Sequence, residues 1–315
     1  MPSIATPDGN HAEVLWRNGE LVPWQEATTH VRSVGHASVS AVFEGVRAYW
    51  APRDQQLFVF RLTEHLDRLV ESARLARLHM NWTTPELAEA VLTVLRANSY
   101  RADTYIRPWT FVAGVVSELI TSADAPTETV IDTWPSPPAP TEVTGARVAT
   151  SSWRRISDQQ MSPRIKAFAN YHQARIAAAE ARQAGYDLPL FLNERGHVSE
   201  GSGACIALMR RGCMVTPPLS AGVLDSITRD TMLTLAAEHL GMRTVERDID
   251  RAELAVADEA FFLGTGWELL PITEVDGLLV GSGKPGPVGT ELAQAYRRVV
   301  RGEMADYSYW LTPVR

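Results

Sequence analysis

The spacing of apolar residues changes period along the chain, and each change marks an element. In VLWRNGELVPW (14–24) two short apolar stretches flank Asn18-Gly19, a dipeptide that tolerates the positive φ angles of a tight turn, which predicts a β-hairpin. VSAVFEGVRAYW (39–50) reads as a strand region broken at Gly45. In LTEHLDRLVESARLARLHM (62–80), Leu62, Leu66, Leu69, Ala73, Ala76 and Met80 share one helical stripe, with Thr63 as the predicted N-cap. TTPELAEAVLTVLRAN (83–98) predicts a second helix, with Thr84 as cap and Pro85 at the first helical position. DTYIRPWTFVAGVV (103–116) and TETVIDTW (127–134) predict strands.

WPSPPAP (134–140) carries four prolines in seven residues, so it is neither a central strand nor a helix interior and reads as an interdomain connection. Beyond it, GARVATSSW (145–153) predicts a strand and residues 168–184 a small-residue helix stopped by Gly185. Residues 188–218 predict three or four strands joined by Arg-Gly turns. SITRDTMLTLAAEHLG (226–241) predicts a helix ended by Gly241, and AFFLGTG (260–266) a strand running into a glycine turn. This element count predicts an α+β protein with mixed sheets, in a smaller N-terminal domain (1–134), a Pro-rich loop (135–140) and a larger C-terminal domain (141–315).

Composition narrows the classes. With 315 residues, 45% of them apolar, the chain can bury a sizeable core. Thirty Lys and Arg against 37 Asp and Glu give a net charge of −7 with the basic residues scattered, which argues against nucleic acid as partner. No apolar stretch approaches the roughly 18 residues of a membrane span, and the first residues lack the pattern of a signal peptide. Cys205 and Cys213 form no CxxC pair, the eight histidines form no metal-ligand pair, and a cytoplasmic location without a metal is the expectation.

The candidate chemistry centres on RIKAFANYHQARIAAAEA (164–181). A lysine nucleophile needs a partly desolvated site, where its pKa falls, and Lys166 stands at the mouth of an alanine-rich helix with Tyr171 just beyond. HVSEGSGA (197–204) puts Glu200 at a strand end beside two glycines. LDSITRDT (224–231) opens a helix whose first amides suit a phosphate, and LGTGWE (263–268) is a second turn suited to an anion. Arg68 lies off the centre of its helix's apolar stripe, so it can leave the core edge and reach a cleft. A lysine, an acid, an arginine and two amide-rich turns are what a phosphorylated pyridine aldehyde requires. Trp267 reads equally as core or pocket wall, and Asp258-Glu259 as a solvated strand start rather than a carboxylate pair.

VFEGVRAYW (42–50), TEHLDRLVESA (63–73), YIRP (105–108), KAFANYHQA (166–174), GHVSEGSGACI (196–206), TPPLSAGVLDSITRD (216–230), ADEAFFLGTGWELLPI (257–272) and VDGLLVGSGKPGPVG (275–289) occur in an order that resembles the class IV (fold-type IV) aminotransferases using pyridoxal 5'-phosphate. The likeness runs from residue 14 to 302 and is closest to the branched-chain amino-acid aminotransferases. It implies a two-domain architecture like that of D-amino-acid aminotransferase, with the active site between the domains, in a homodimer or larger homo-oligomer. By the same resemblance Lys166 carries the cofactor as a Schiff base and serves as the catalytic base. Tyr171 meets the ring oxygen, Glu200 the pyridine nitrogen, and Arg68, Ile227, Thr228 and Thr265 the phosphate. Phe43, Gly45, Arg47, Tyr105, Arg107, Thr265 and Gly266 line the substrate pocket, with Arg107 meeting the distal carboxylate of glutamate. The implied activity is transfer of amino groups between branched-chain L-amino acids and 2-oxo acids, with glutamate and 2-oxoglutarate as the second pair. A D-amino-acid or amine transaminase, or an aminodeoxychorismate lyase, is the alternative on the same fold.

The chain departs from the family pattern in several places. Where His-Tyr-Gly precedes FEGVR in the family, this chain has Ala37, Ser38 and Val39, and a second aromatic position falls near Pro137. Both changes predict a wider pocket or a looser hold on glutamate. Cys205 replaces a common asparagine, and Gly289 a common threonine.

Overall fold

The computed structural model describes residues 11–30, 32–33, 35, 38–114, 125–137 and 145–315. The chain divides into two compact units: Met1–Pro138 with Ile165–Ala169 and Val299–Arg315, and Ala139–Arg164 with Asn170–Arg298. This differs from the linear division expected of the sequence. The segment holding Lys166 belongs to the first unit, because its main chain bonds to that unit's sheet, and the C-terminus returns to the same sheet.

In the first unit the hairpin forms as expected: β1 (Val14–Arg17) and β2 (Glu20–Pro23) turn at Asn18 (φ 47°) and Gly19 (φ 104°). β3 (Ala41–Phe43) and β4 (Val46–Ala51) are interrupted at Gly45, and β5 (Gln56–Phe60) leads into α1 (Leu62–Leu75) and α2 (Thr84–Asn98). β6 (Thr104–Val112) and β7 (Thr127–Pro135) follow; the end of the strand expected over 103–116 lies outside the described residues. β17 (Leu311–Pro313) joins the edge, in the order β17-β5-β4-β6-β7-β1-β2 with β3 also on β6. The core packs Val46, Ala48, Val59 and Ile106 of the sheet against Leu62, Leu66 and Leu69 of α1 and Leu87, Val91 and Val94 of α2. Each such aliphatic side chain contributes about 1.5–3 kcal/mol by burial.

Two helix starts differ from expectation. α1 begins one residue before Thr63, after Arg61 in the left-handed region (φ 49°), whose N–H donates to Trp310 O and whose Nε pairs with Glu64 at 2.7 Å. The N-cap of α2 is Thr83 rather than Thr84, because one Glu86 oxygen accepts from both the N–H and the hydroxyl of Thr83.

The second unit holds β8 (Ala146–Arg154), α3 (Asn170–Gln183), β9 (Leu188–Leu192), β10 (Val198–Gly201), β11 (Cys205–Arg210), β12 (Cys213–Thr216), α4 (Ile227–Thr234), β13 (Arg243–Glu246), β14 (Glu259–Gly264), β15 (Glu268–Val275), β16 (Leu278–Leu279) and α5 (Pro287–Val300), the last crossing back to the first unit. The sheet runs β10-β9-β8-β15-β14-β11-β12-β13, and β10 also pairs with β11, so six strands close into a ring. Pairings of β8 with β9 and β15, and of β12 with β13, are parallel, as a mixed sheet requires. Val148, Leu190, Val198, Ile206, Leu208, Phe262 and Ile272 belong to its core. Four strands fill 188–218 with Arg195-Gly196 and Arg211-Gly212 at turns; Gly185 follows α3 at φ 83°, and Gly241, at φ 62°, follows a π-helical turn (Leu235–His239) that continues α4. No described helix is long and apolar enough to cross a membrane.

Candidate active site

In the first unit, Phe43-Glu44-Gly45 joins β3 to β4 and touches most of the candidate groups. The Phe43 N–H donates to Lys166 O (2.9 Å), and Phe168 N–H donates to Ala41 O (3.1 Å). On the other side of the lysine, its own N–H donates to Ser72 Oγ of α1 (3.1 Å). The Lys166 backbone is thus fixed by a strand and a helix, and its amine lies 5.0 Å from the centroid of the Phe43 ring. Phe43 stacks on Phe168 at 4.1 Å, and Phe168 meets Trp109 edge-on at 5.7 Å.

Glu44 has no exposed surface. Its Oε1 accepts from Arg68 Nε (2.7 Å), and its Oε2 from Arg68 Nη2 and His65 Nδ1 (2.8 Å each). Burial alone would push the carboxyl up, but Arg68 and His65 outweigh it and hold Glu44 well below the usual carboxylate range. Burial first, then the charges of Arg68 and Lys166, push His65 below its ordinary value against the opposing pull of Glu44.

The odd-numbered residues of β6 share the face opposite the helices. Tyr105 stacks on Trp134 at 4.8 Å, and the Arg107 guanidinium lies 4.8 Å from the Trp134 centroid and 5.8 Å from that of Tyr105. Asp132 stands opposite Arg107 in the β6–β7 register. A Cβ at Gly45 would overlap the Tyr105 hydroxyl and lie 2.9 Å from its Cζ, so only glycine admits that tyrosine. Arg47, expected to line the pocket, is 2% exposed, and its Nη2 donates to Ser136 O (2.5 Å) and Pro137 O (2.9 Å). It tethers the start of the proline segment; the rest of that segment, 138–140, lies outside the described residues, as does Ala37. Val39 is exposed in the left-handed region (φ 53°), a conformation costly for a β-branched residue.

In the second unit, Glu200 ends β10 and is 5% exposed. Arg155 Nη2 meets its Oε1 at 2.6 Å, and Leu224 N–H donates to its Oε2 at 3.1 Å. The turn after it brings Gly203 to Tyr171: a Cβ there would lie 4.0 Å from Tyr171 Cε1. α4 begins at Ser226, whose hydroxyl accepts from Arg229 N–H (3.2 Å), leaving Ile227 and Thr228 in its first turn, where amides lack helical acceptors. Buried Arg229 fixes this start by donating to Thr216 Oγ1, Pro217 O and Glu246. At the β14–β15 turn a Cβ on Gly264 would come within 2.9 Å of Ala204 Cβ, whereas nothing stands within 4 Å of one on Gly266. The Thr265-Gly266 turn is therefore open to an anion or a carboxylate.

Within the first unit the structure thus gathers Phe43, Gly45, Arg68, Tyr105, Arg107 and Lys166 around one sheet, and within the second it gives Tyr171, Glu200, Ile227, Thr228, Thr265 and Gly266 to turns and helix starts. Sequence reasoning missed Glu44, His65, Ser72, Arg155, Trp109, Trp134 and Phe168. The one signal was Glu44 inside FEGVR; the others act through partners remote in sequence. Trp267 packs on the second core beside Phe262, and Glu259 accepts the Val288 and Gly289 N–H groups at the start of α5 while Asp258 accepts that of Arg211. Both thiols are free, and burial with Glu200 nearby pushes Cys205 far up, which leaves it inert. No cluster of three metal-ligating side chains occurs among the described residues.

The amino-transferase class IV family model matches residues 41–275. A branched-chain-amino-acid aminotransferase of Pseudomonas aeruginosa is 38% identical over 99% of this chain and 100% of its own. The crystal structure of the pyridoxal-phosphate form of a branched-chain amino acid aminotransferase from Thermobaculum terrenum superposes with a TM-score of 0.93 at 41% identity, covering 97% of this chain and 99% of its own. One from Thermoproteus uzoniensis with norvaline gives 0.90 at 40% identity, covering 96% and 100%. With a family match across most of its length and near-complete coverage by these relatives, the chain belongs to the class IV aminotransferases.

Proposed function

We propose that the protein transfers amino groups between the branched-chain L-amino acids leucine, isoleucine and valine and 2-oxo acids, with glutamate and 2-oxoglutarate as the second pair. The observation that carries this is Lys166, whose backbone is fixed from both sides while its amine lies over the Phe43 ring. The name of the Pseudomonas aeruginosa relative and the norvaline bound to the Thermoproteus uzoniensis enzyme support the substrate class.

The residues fit pyridoxal 5'-phosphate. The family resemblance assigns Arg68 of the first unit to its phosphate and Lys166 to its aldehyde, and, from the second unit, the first-turn amides of Ile227 and Thr228 with Thr265 to the phosphate, Glu200 to the ring nitrogen and Tyr171 to the ring oxygen; each has the chemistry its role needs. Bound there, the cofactor supplies an electron-withdrawing ring that makes a substrate Cα–H acidic. Lys166 Nζ would take that Cα proton as general base and, as general acid, deliver it to the former aldehyde carbon of the cofactor rather than back to Cα. Glu200, oriented by Arg155, would keep a proton at the ring nitrogen through its negative charge. By the family resemblance the substrate carboxylate is assigned to the Thr265-Gly266 amides of the second unit and to Tyr105 of the first. The Phe43–Phe168–Trp109 wall suits an aliphatic side chain, and Arg107, framed by Tyr105 and Trp134, suits the distal carboxylate of glutamate. The family resemblance supports a homodimer or larger homo-oligomer, and two free thiols are in keeping with a reducing cytoplasm.

A panel of amino donors against 2-oxoglutarate tests the reading. Leucine, isoleucine and valine should all react, and Lys166→Ala should abolish turnover. Failure of all three, with turnover of a D-amino acid or an aryl amine, would replace it.

A further inference from the structure

Each residue of Phe43-Glu44-Gly45 has a separate task. The main chain of Phe43 holds that of Lys166, Gly45 makes room for Tyr105, and Glu44 binds the side chains of α1. Helix α1 answers with His65, Arg68 and Ser72, at spacings of three and four that put them on one face. Ser72 holds the Lys166 N–H, and His65 and Arg68 both donate to Glu44.

The bond from Arg68 to Glu44 is two-pronged, through Nε and Nη2, and a guanidinium held this way cannot rotate about its own plane. Glu44 in turn cannot move: it is fully buried, its N–H donates to Pro108 O (2.8 Å), and His65 anchors its Oε2. We propose that Glu44, backed by His65, is the positioning residue for the cofactor phosphate, presetting the Arg68 guanidinium that receives it. The inference rests on the reading of Arg68 as a phosphate ligand. Without Glu44, the long arginine side chain is ordered only when the phosphate arrives, and affinity falls by that cost.

The test compares two cofactors on the full-length chain freed of its own. Pyridoxal 5'-phosphate and phosphate-free pyridoxal are each titrated into wild type, Glu44→Gln and His65→Gln, following the visible absorbance of the bound ring. Glu44→Gln should weaken pyridoxal phosphate about 10- to 100-fold, the loss seen when partners that orient metal ligands are removed, and leave pyridoxal unchanged. His65→Gln should show the same selectivity with a smaller loss, and it decides the matter if Glu44→Gln does not fold. Equal weakening of both cofactors would mean a merely structural role and would overturn the proposal, as would unchanged pyridoxal phosphate affinity in both variants. If the wild type and Arg68→Ala bind pyridoxal phosphate alike, the reading of Arg68 itself has failed, a result separate from the behaviour of Glu44.

Discussion

Each unit contains a buried arginine–glutamate pair, and the two are built in opposite senses. In the first unit the arginine is the candidate ligand group and Glu44 supports it; in the second, Glu200 is the candidate and Arg155 supports it. The first pair has a third member, His65, while the second adds a main-chain donor, Leu224. Burying two charges costs several kcal/mol per ion, repaid only when geometry is good and remaining lone pairs are satisfied, and both pairs meet that condition with different partners. A functional charge therefore needs a second charge to hold it, whichever sign the chemistry uses.

Removing the support should hurt most where no other cation compensates. Arg155→Leu leaves Glu200 buried with a single N–H donor, and the expected loss is about 3–5 kcal/mol of folding stability. Denaturant titration of the cofactor-free chain measures it; a loss below about 1 kcal/mol would show that Arg155 is dispensable to the pair, against the comparison drawn here. Gly45→Ala comes next. The added Cβ must displace Tyr105, and overpacking of this kind costs about 1–3 kcal/mol. Because Tyr105 is assigned to the substrate carboxylate, KM for the amino acid should rise while pyridoxal phosphate affinity stays the same. If KM does not change, the tyrosine hydroxyl has no part in binding substrate.

The same asymmetry explains what was legible in the sequence. Lys166, Arg68 and Glu200 announce themselves, being reactive or charged residues set among alanines, on a stripe edge or beside glycines. Glu44 and Arg155 do not, because their partners lie 24 and 45 residues away, and which acid meets which arginine is decided only when strands and helices pack. The alternating and helical periods located most elements, yet the N-cap of α1 is Arg61, two residues before the expected Thr63. Arg61 takes its left-handed conformation while bonded to Trp310, a contact from the far end of the chain. The bonds of Arg47 were hidden for a similar reason: its place in FEGVR is local, but the carbonyls it holds belong to Ser136 and Pro137.

The smallest expected effect lies in acid, and it distinguishes the first pair by its imidazole. His65 is held below its ordinary pKa of about 6.5, so the unfolded chain binds that proton more readily than the folded one. Its contribution is complete above about 6.5 and is lost as pH falls below it, because unfolding then takes up a proton. Glu44 is also held down, so its contribution is complete above the ordinary carboxylate range and drains away only at lower pH. Acidification from neutrality should therefore weaken the first unit in two stages, His65 before Glu44. His65→Gln, which keeps an N–H donor for Glu44, removes the earlier stage. Stability of the wild type and this variant, measured by denaturant titration between about pH 7 and 5, should converge as pH falls. A constant difference across that range would mean that His65 titrates alike in the folded and unfolded chain, and that burial beside Arg68 does not hold its proton off.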